Sequence, residues 1–361
     1  MERGALLAQH LPNEVNGTPV DAAILTSAEN CRYISGFAAS ARMLVITREV
    51  CYYLTDFRYA EAARAQVQGC KVVEYKSAIK SIEEILRRHN LRGVLLEYST
   101  LTLSQAAQLR QVCQQWGAQT IEDNTLDQLL REQRSIKTSE EIARLRAAQA
   151  ITDAAFSHIL TYIQPGKTER EIALELEFFM RKNGADGIAF DTIVVAGKNG
   201  SQCHGVPGNK PIEHGELITM DFGAQVNGYH ADMTRTVACG KINPEQEHVY
   251  QTVLQAQLAA IAAVKAGVPC STVDKAARDV IDAVYPGSFG HTTGHSVGLE
   301  IHEWPYFAPN CHVPAQAGMV ITVEPGIYLT GNCGVRIEDL VLVTPTGCEN
   351  LTASPKELIT L

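Results

Sequence analysis

Four acidic residues in the second half of the sequence follow a pattern that occurs twice. Residues 215–223 read GELITMDFG and residues 318–326 read GMVITVEPG, so each segment has an acid six residues after one glycine and two before another. These acids are Asp221 and Glu324, and a second acid follows each of them, Asp232 in the first case and Glu338 in the second. This internal similarity predicts two related halves that face each other.

Strand and turn geometry predict that the four acids converge. In a strand over 217–221, alternate side chains share a face, and the turn at 225–228 (QVNG) can fold the next strand, predicted over 229–237, back toward the first. The glycine-bearing turn at 330–334 (TGNCG) can do the same in the second half. Buried carboxylates repel one another and cost several kcal/mol each to desolvate, so the cluster requires cations or protons. Divalent metal ions satisfy this requirement most simply.

His295 is the predicted nitrogen ligand of this site. It lies in HTTGHSVG (291–298), where Gly294 and Gly298 allow the backbone to approach a ligand closely. One histidine and four carboxylates form a mostly hard oxygen set, which suits Mn²⁺, Co²⁺ or Fe²⁺ better than a thiolate zinc site does. Five side chains for two ions imply bridging carboxylates, and two ions ~3.5–4 Å apart can hold a hydroxide between them.

Two further histidines lie in segments where function is expected. His204 is in GSQCHGVP (200–207), a loop that follows a predicted strand at 192–196, and loops of this kind often carry function. His302 is in GLEIHEWP (298–305), seven residues after His295. From position alone, a structural role and a functional role are equally plausible for each.

The elements that must position these residues are predicted from periodicity. In the first part of the chain, about 130 residues long, strand-like apolar runs alternate with helical spacing, which predicts an α/β domain. The predicted strands are 22–25, 43–46, 52–54, 72–73 and 93–96, and the predicted helices are 59–67 and 79–89.

Two capping boxes predict helices ahead of the strands that carry the acids. Thr138 with Glu141 begins a long helix with one apolar face, and Thr168 with Glu171 begins an amphipathic helix that continues to about Lys182. The polar stretch before the first box places the domain boundary near residues 130–138.

Composition restricts the class of protein. A length of 361 residues favours two domains, and 31 basic against 40 acidic residues give a net charge of −9, which disfavours nucleic acid or an anionic membrane as the main partner. No window reaches about 18 uninterrupted apolar residues, so no membrane span is expected. The beginning of the sequence lacks a basic segment followed by an apolar core, and the ten cysteines form no C-x-x-C pair. These features predict a cytoplasmic protein whose thiols are reduced and mostly buried.

The motifs resemble those of the metallopeptidases that share the methionine aminopeptidase or "pita-bread" fold, in the branch of aminopeptidase P, prolidase and creatinase. The matching segments are MDFG (220–223) with Ala231-Asp232, GHSVG (294–298), His302-Glu303, VEPG (323–326) and VRIE (335–338). RYISGF (32–37) and TDFRY (55–59) also resemble that branch's first domain, which methionine aminopeptidases lack. The resemblance covers nearly the whole chain. It implies an α/β N-terminal domain over residues 1–132 and an α+β pita-bread catalytic domain over residues 133–361.

The resemblance also implies a role for each site residue. Two divalent metal ions, Mn²⁺ in the first instance with Co²⁺, Fe²⁺ or Zn²⁺ as alternatives, would be bound by five ligands, with Asp232 and Glu338 bridging. Glu324 would also relay the proton of the attacking water. His302 would stabilise the oxyanion, His204 would hydrogen-bond the substrate near proline, and His291 and Arg336 would support the ligands. The implied ligand set is Asp221, Asp232, His295, Glu324 and Glu338.

The implied activity is metal-dependent hydrolysis of the peptide bond that precedes proline in small peptides, by a homodimer. An Xaa-Pro aminopeptidase is preferred narrowly over an Xaa-Pro dipeptidase, because beyond Arg336 the segment 200–210 adds only Lys210 as a cation for a free proline carboxylate. A metal-free amidinohydrolase such as creatinase and a non-catalytic binding module are disfavoured by the complete ligand set. A methionine aminopeptidase is disfavoured by the additional first domain.

Overall fold

The computed structural model describes residues 2–361, so Met1, where the predicted first domain begins, lies outside the described residues. The chain divides into two compact units, of which the first ends at Arg134 and the second begins at Ser135. The sequence places the boundary between two functional domains at residues 132 and 133, and this division stays a prediction. Among the described residues, no helix combines the length and the hydropathy needed to cross a bilayer.

The first unit is built on a six-stranded mixed sheet. The strands of the whole unit are β1 (Glu14–Val15), β2 (Thr18–Pro19), β3 (Ala22–Leu25), β4 (Met43–Thr47), β5 (Cys51–Thr55), β6 (Lys71–Glu74), β7 (Gly93–Leu96) and β8 (Gln119–Ile121). Its helices are α1 (Arg3–His10), α2 (Ala28–Ser35), α3 (Phe57–Gln66), α4 (Ala78–His89), α5 (Leu103–Gln115) and α6 (Thr125–Ser135). The six-stranded sheet has the order β6-β5-β4-β3-β7-β8, and β1 pairs with β2 separately.

The predicted elements of the first unit are present with shifts of one or two residues. Amphipathic spacing explains why α4 forms, since Ile82, Ile85 and Leu86 lie on one face and are buried. The structure adds helices that the sequence analysis did not predict. In α5, for example, only Leu109, Val112 and Cys113 are buried, so its apolar periodicity is weak.

The second unit, all of whose residues the structure describes, contains four antiparallel sheets. Its helices are α7 (Ser139–Ile159), α8 (Glu169–Lys182), α9 (Pro244–Ala263) and α10 (Cys270–Asp282), with a short 3₁₀ helix at Gly197–Ser201. Its strands are β9 (Gly187–Ile188), β10 (Ile193–Ala196), β11 (Glu216–Phe222), β12 (Ala224–Val226), β13 (Tyr229–His230), β14 (Met233–Cys239), β15 (Gly294–Ser296), β16 (Glu303–Phe307), β17 (Val320–Val323), β18 (Gly326–Leu329), β19 (Cys333–Arg336), β20 (Asp339–Val343) and β21 (Cys348–Asn350). The two largest sheets by residue count are β10-β11-β14 and β16-β15-β17-β20-β21, and the two smaller are β13-β12-β9 and β18-β19.

The two halves of the second unit repeat one arrangement. In the first half, β10-β11-β14 form a sheet, and residues of α7 and α8 share a core with Ile218 and Met220 of β11. In the second half, the sheet is β16-β15-β17-β20-β21, and residues of α9 and α10 share a core with Ile321 of β17. Leu217 belongs to this second core, so β11 alternates its side chains between the two halves as predicted.

Both predicted capping boxes are confirmed. The hydroxyl of Thr138 accepts from the Glu141 amide at the start of α7, and Thr168 and Glu171 make the same contacts at the start of α8. These reciprocal bonds satisfy amide groups that have no partner within the helix, which fixes where each helix begins.

Candidate metal centre

Two hairpins flank the predicted metal ligands. The first joins β12 to β13, with Val226 opposite Tyr229, and its two turn residues Asn227 and Gly228 have φ of 49° and 77°. Positive φ at both central positions fits the twist of a two-residue hairpin, which explains the Asn-Gly sequence. The second joins β18 to β19, with Gly326 opposite Arg336.

The predicted strand over 229–237 is interrupted, and the interruption holds Asp232. One strand ends at His230 and the next begins at Met233. Between them the Ala231 amide donates to the Ala224 carbonyl at 2.9 Å. A Cβ on Gly223 would lie 1.9 Å from the Ala231 carbonyl oxygen, so only glycine allows the chain to fold back this closely.

The acids occupy equivalent positions in the two halves. In the first half, Asp221 on β11 is opposite Thr234 on β14, and Asp232 stands just before β14. In the second half, Glu324 directly follows β17, and Glu338 stands just before its partner strand β20. The Glu338 amide donates to the Thr234 carbonyl at 3.1 Å, which joins the halves at this point. The repeat seen in the sequence is therefore a repeat of structure.

The structure brings the predicted ligands together. Potential ligand atoms of Asp232, His295 and Glu338 all lie within 4.8 Å of one another. The His295 Nε2 atom is 3.4 Å from Asp232 Oδ2 and 3.3 Å from Glu324 Oε1. Asp221 Oδ2 accepts from Arg336 Nη2 at 2.6 Å, which holds this carboxylate beside the others.

Charge in this cluster is poorly compensated by the protein. Burial, together with the negative charge of neighbouring acids, raises the pKa of Asp232 and of Glu338 well above the ordinary range. Burial also raises the pKa of Asp221, although Arg336 opposes the shift. Asp221 Oδ1 and Glu338 Oε1 are buried and have no hydrogen-bond donor. Buried oxygens without donors, in a set of four carboxylates and one imidazole, fit a pair of hard divalent cations.

Glu324 differs from the other three acids. Burial alone would raise its pKa, but the hydrogen bond and charge of His295, with His291 and Arg336, lower the pKa of Glu324 to about 2. The Thr322 hydroxyl donates to Glu324 Oε1 at 3.1 Å and accepts from the His295 amide at 3.0 Å. Glu324 is consequently an ionised carboxylate with a fixed orientation.

His291 and Arg336 are connected through a residue that the sequence analysis did not identify, Tyr328. His291 Nδ1 donates to the Thr292 carbonyl at 2.8 Å, so in a neutral ring Nε2 accepts from the Tyr328 hydroxyl, also at 2.8 Å. Burial lowers the pKa of His291, which favours that neutral ring. Tyr328 Oη in turn accepts from Arg336 Nη1 at 2.8 Å. Tyr328 lies on β18 opposite Gly334, in a sheet separate from that of β17, so its partners are visible only from the fold.

Arg336 has most of its donors committed to the protein. It is 2% exposed, and besides Asp221 and Tyr328 it donates to Thr234 Oγ1 at 2.9 Å and to the Cys203 carbonyl at 3.2 Å. The guanidinium therefore links both halves of the unit and the loop that follows the 3₁₀ helix.

The two remaining histidines lie at the exposed side of the cluster. The His302 ring centroid is 4.4 Å from that of His295 in an edge-to-face contact, and burial with the charge of His295 lowers the pKa of His302. His204 is solvent-exposed, next to the Cys203 carbonyl that Arg336 holds. Its charge contributes to the lowered pKa of both His291 and His302, which places it near them.

The chain belongs to metallopeptidase family M24, whose profile matches residues 143–345. A second profile, the creatinase/prolidase N-terminal domain, matches residues 9–147 and identifies the branch of the family. The family and the pita-bread fold predicted from the sequence are confirmed. Members of this family are dinuclear metallopeptidases, in agreement with the cluster described above.

Three relatives illustrate the similarity. The structure of Xaa-Pro dipeptidase from Bacillus anthracis is 39% identical, covers 99% of both chains and superposes with a TM-score of 0.94. That of X-Pro aminopeptidase from Thermotoga maritima is 35% identical over 94% of this chain and 97% of its own, with a TM-score of 0.86. The Xaa-Pro dipeptidase of Pyrococcus furiosus is 36% identical over 94% of this chain and 95% of its own.

Proposed function

We propose that this protein hydrolyses the peptide bond that precedes proline, using two divalent cations held by five side chains. The observation that carries the proposal is the cluster of four buried or half-buried carboxylates, two of which, Asp221 and Glu338, have a buried oxygen without a donor. Asp232 and Glu338, which the resemblance to the family implies would bridge the ions, have potential ligand atoms within 4.8 Å of each other and of His295. The five proposed ligands are Asp221, Asp232, His295, Glu324 and Glu338.

The proposed chemistry divides between the cations and the protein. When bound, the cations polarise the scissile carbonyl and lower the pKa of water, which makes water a nucleophile at neutral pH. Glu324 is ionised, so it accepts the proton of the attacking water and delivers it to the proline nitrogen as the bond breaks. The hydrogen bond from Thr322 keeps the Glu324 carboxylate in place during this transfer.

His302 is the proposed donor to the developing oxyanion. Its lowered pKa keeps the ring neutral near pH 7, and a neutral imidazole has one N–H to donate. The edge-to-face contact with His295 holds the ring beside the ligands. His204, in the exposed loop, is the proposed contact to substrate near proline. The peptide bond before proline has no N–H group, so the substrate offers no amide hydrogen there and His204 is not required to accept one.

Xaa-Pro dipeptides are the proposed substrates, because two of the three relatives named above are Xaa-Pro dipeptidases. This reverses the narrow preference drawn from the sequence. An Xaa-Pro aminopeptidase remains the second candidate, and one observation favours it. Arg336 donates to protein groups with Nε and both Nη atoms, so it is a poor partner for the free carboxylate of a dipeptide.

The deciding experiment compares kcat/KM for an Xaa-Pro dipeptide and the matched Xaa-Pro-Yaa tripeptide with Mn²⁺. A dipeptidase should prefer the dipeptide by more than about tenfold, or ~1.4 kcal/mol in transition-state binding. Equal or faster cleavage of the tripeptide would assign the protein as an aminopeptidase. Replacing proline by alanine in either peptide is the control, and it should abolish cleavage. If the alanine peptides are cleaved equally well, the proline specificity itself is wrong.

Three further properties expected from the sequence stay predictions: Mn²⁺ as the preferred metal, a homodimeric assembly and a cytoplasmic location. Elemental analysis of protein purified without added metal, with restoration of activity by Mn²⁺, Co²⁺, Fe²⁺ or Zn²⁺ after chelation, tests the first of them.

A further inference from the structure

Two cysteines that are distant in the sequence lie side by side in the first unit. Cys51 begins β5, and Cys70 directly precedes the parallel strand β6. Tyr52 is opposite Lys71 in the register of these strands, so Cys51 and Cys70 form the preceding pair, and their Sγ atoms are 2.6 Å apart. Adjacent strands run about 4.7–4.9 Å apart, within the Cα separation of about 4.4–6.8 Å that a disulfide requires.

We propose that Cys51 and Cys70 form a dithiol site that low-molecular-weight disulfides, such as oxidised glutathione, convert to an intramolecular disulfide. The sequence analysis expected reduced, mostly buried thiols because no C-x-x-C pair is present, but the register of β5 and β6 brings these two cysteines together. The site lies in the unit that does not carry the candidate metal centre, so it is independent of the proposed peptidase function.

The two thiols differ in accessibility, which sets the order of reaction. Cys51 is 7% exposed, whereas Cys70 is partly exposed. Helix α1 covers Cys51. A Cβ atom added at Gly4, a residue of this helix, would lie 3.2 Å from the Cys51 Sγ atom. The hydrogen bond with Cys70, together with burial, raises the pKa of the Cys51 thiol. Since the thiolate is the reactive form, Cys70 is the thiol that reacts first with a disulfide from solution.

The reaction balances in two exchange steps. The Cys70 thiol loses its proton to solvent, and its sulfur attacks one sulfur of oxidised glutathione, which breaks that S–S bond and releases one glutathione thiolate. The Cys51 thiol then loses its proton to solvent, and its sulfur attacks the Cys70 sulfur, which breaks the S–S bond of the mixed disulfide and releases the second glutathione thiolate. The two glutathione thiolates take up the two protons from solvent. Two protein thiols are oxidised by two electrons in total, and one glutathione disulfide is reduced to two glutathione molecules.

The bond would attach an edge strand to the sheet. In the strand order β6-β5-β4-β3-β7-β8, β6 pairs on one side only, and none of its four side chains is fully buried. A link between Cys51 and Cys70 closes the chain segment that contains α3. Because crosslinks constrain the unfolded chain, the oxidised first unit should resist proteolysis around β6 more than the reduced unit does.

The experiment treats the full-length protein with oxidised glutathione, alkylates the remaining thiols, and maps the peptides by mass spectrometry. In the wild type, we expect Cys51 and Cys70 peptides to be recovered as one linked species, which dithiothreitol separates. Cys51→Ser should trap glutathione on Cys70, whereas Cys70→Ser should leave Cys51 unmodified. The control is Cys348→Ser, which alters another partly exposed cysteine and should leave the linkage unchanged. Cys270 and Cys311 also share a side-chain hydrogen bond, so linkages are assigned peptide by peptide.

Two outcomes would overturn the proposal. One is accumulation of the glutathione adduct on Cys70 in the wild type to the same extent as in Cys51→Ser, because the second exchange step would then not occur. The other is that both thiols of the wild type remain alkylatable after treatment. If Cys51→Ser does not fold, the native wild type still decides the question, since Cys70 should react with iodoacetamide in the reduced protein and lose that reactivity after oxidation.

Discussion

Glu338 and Asp339 are consecutive, equally buried acids in opposite electrostatic situations. The two oxygens of Asp339 accept from Arg235 at 2.7 Å, Lys356 at 2.7 Å, Asn350 at 2.8 Å and Gln257 at 3.0 Å. Glu338 accepts from the Thr234 hydroxyl at 2.7 Å through one oxygen, and its other oxygen has no donor. Burial is opposed by Arg235 and Lys356 in the first case, so the pKa of Asp339 is lowered, whereas that of Glu338 is raised well above its ordinary value.

The difference separates a structural carboxylate from a proposed metal ligand. A buried charge is tolerated when the protein itself supplies opposite charge and hydrogen bonds. Asp339 has both, and its role in the fold is complete. Glu338 has too few donors, and the pKa values of Asp221 and Asp232 are raised as well, so the ionised state of these three acids is expected to depend on cations from outside the chain. Glu338 stands just before β20 and Asp339 is its first residue, so the two consecutive side chains have different surroundings.

The largest expected effect comes from removing the cations that Glu338 and the acids around it are proposed to bind. Chelation should abolish peptidase activity and lower the thermal midpoint, because ligands that bind only the folded state stabilise it. Adding Mn²⁺ or Co²⁺ should restore both. Activity assays and thermal melts, with elemental analysis of the same samples, provide the measurement. Full activity in protein shown to be free of metal would refute the two-metal site.

A pair of neighbouring variants tests the comparison directly. Asp339→Asn should lower the free energy of unfolding by about 3–5 kcal/mol, since it leaves Arg235 buried without its anion. Glu338→Gln should lose metal and activity, yet in chelated samples it should be at least as stable as the wild type, because it removes a poorly compensated charge. Denaturant unfolding of chelated protein measures both. An equal loss of stability in the two variants would show that the environments do not differ.

His302 tests whether chemistry near the cluster can be separated from metal binding. His302→Ala should keep both metals but reduce kcat by roughly 10²–10³, the usual scale for loss of one oxyanion donor. The matched control is His312→Ala, which removes another exposed histidine of the same unit and should have no effect on kcat. If His302→Ala instead releases the metals, its side chain supports the ligands and not the oxyanion.

The smallest expected effect is the part of the loss of folding stability at acid pH that Asp339 contributes. Its pKa is lower in the folded protein than the ordinary value of 3.8, so its stabilising contribution is present above that value and is lost as pH falls through the folded pKa. In chelated samples, the wild type should therefore lose stability below about pH 3.8 more steeply than Asp339→Asn does. Thermal melts across this range supply the curves, and parallel curves would contradict the assignment.

The sequence was informative about this centre where chemistry requires particular residue types at fixed spacing. The doubled Gly-acid-Gly pattern predicted the two halves, and the hairpin signals at 225–228 and 330–334 predicted how the chain folds back. The break that isolates Asp232 was not predicted, because it depends on the close approach of the Ala231 carbonyl to Gly223. Tyr328 and the pairing of Cys51 with Cys70 were also missed, since strand register brings their partners together from distant parts of the chain.

The connections of Arg336 make metal binding and substrate binding thermodynamically reciprocal. One guanidinium holds the proposed ligand Asp221 and the backbone of Cys203, next to the proposed substrate contact His204. If occupancy of the metal centre changes the affinity of the 200–204 segment for a peptide, the peptide must change the affinity for metal by the same factor. If that coupling is favourable, a bound product or inhibitor should raise the affinity for metal in an equilibrium competition with a chelator, even when it does not touch the ions.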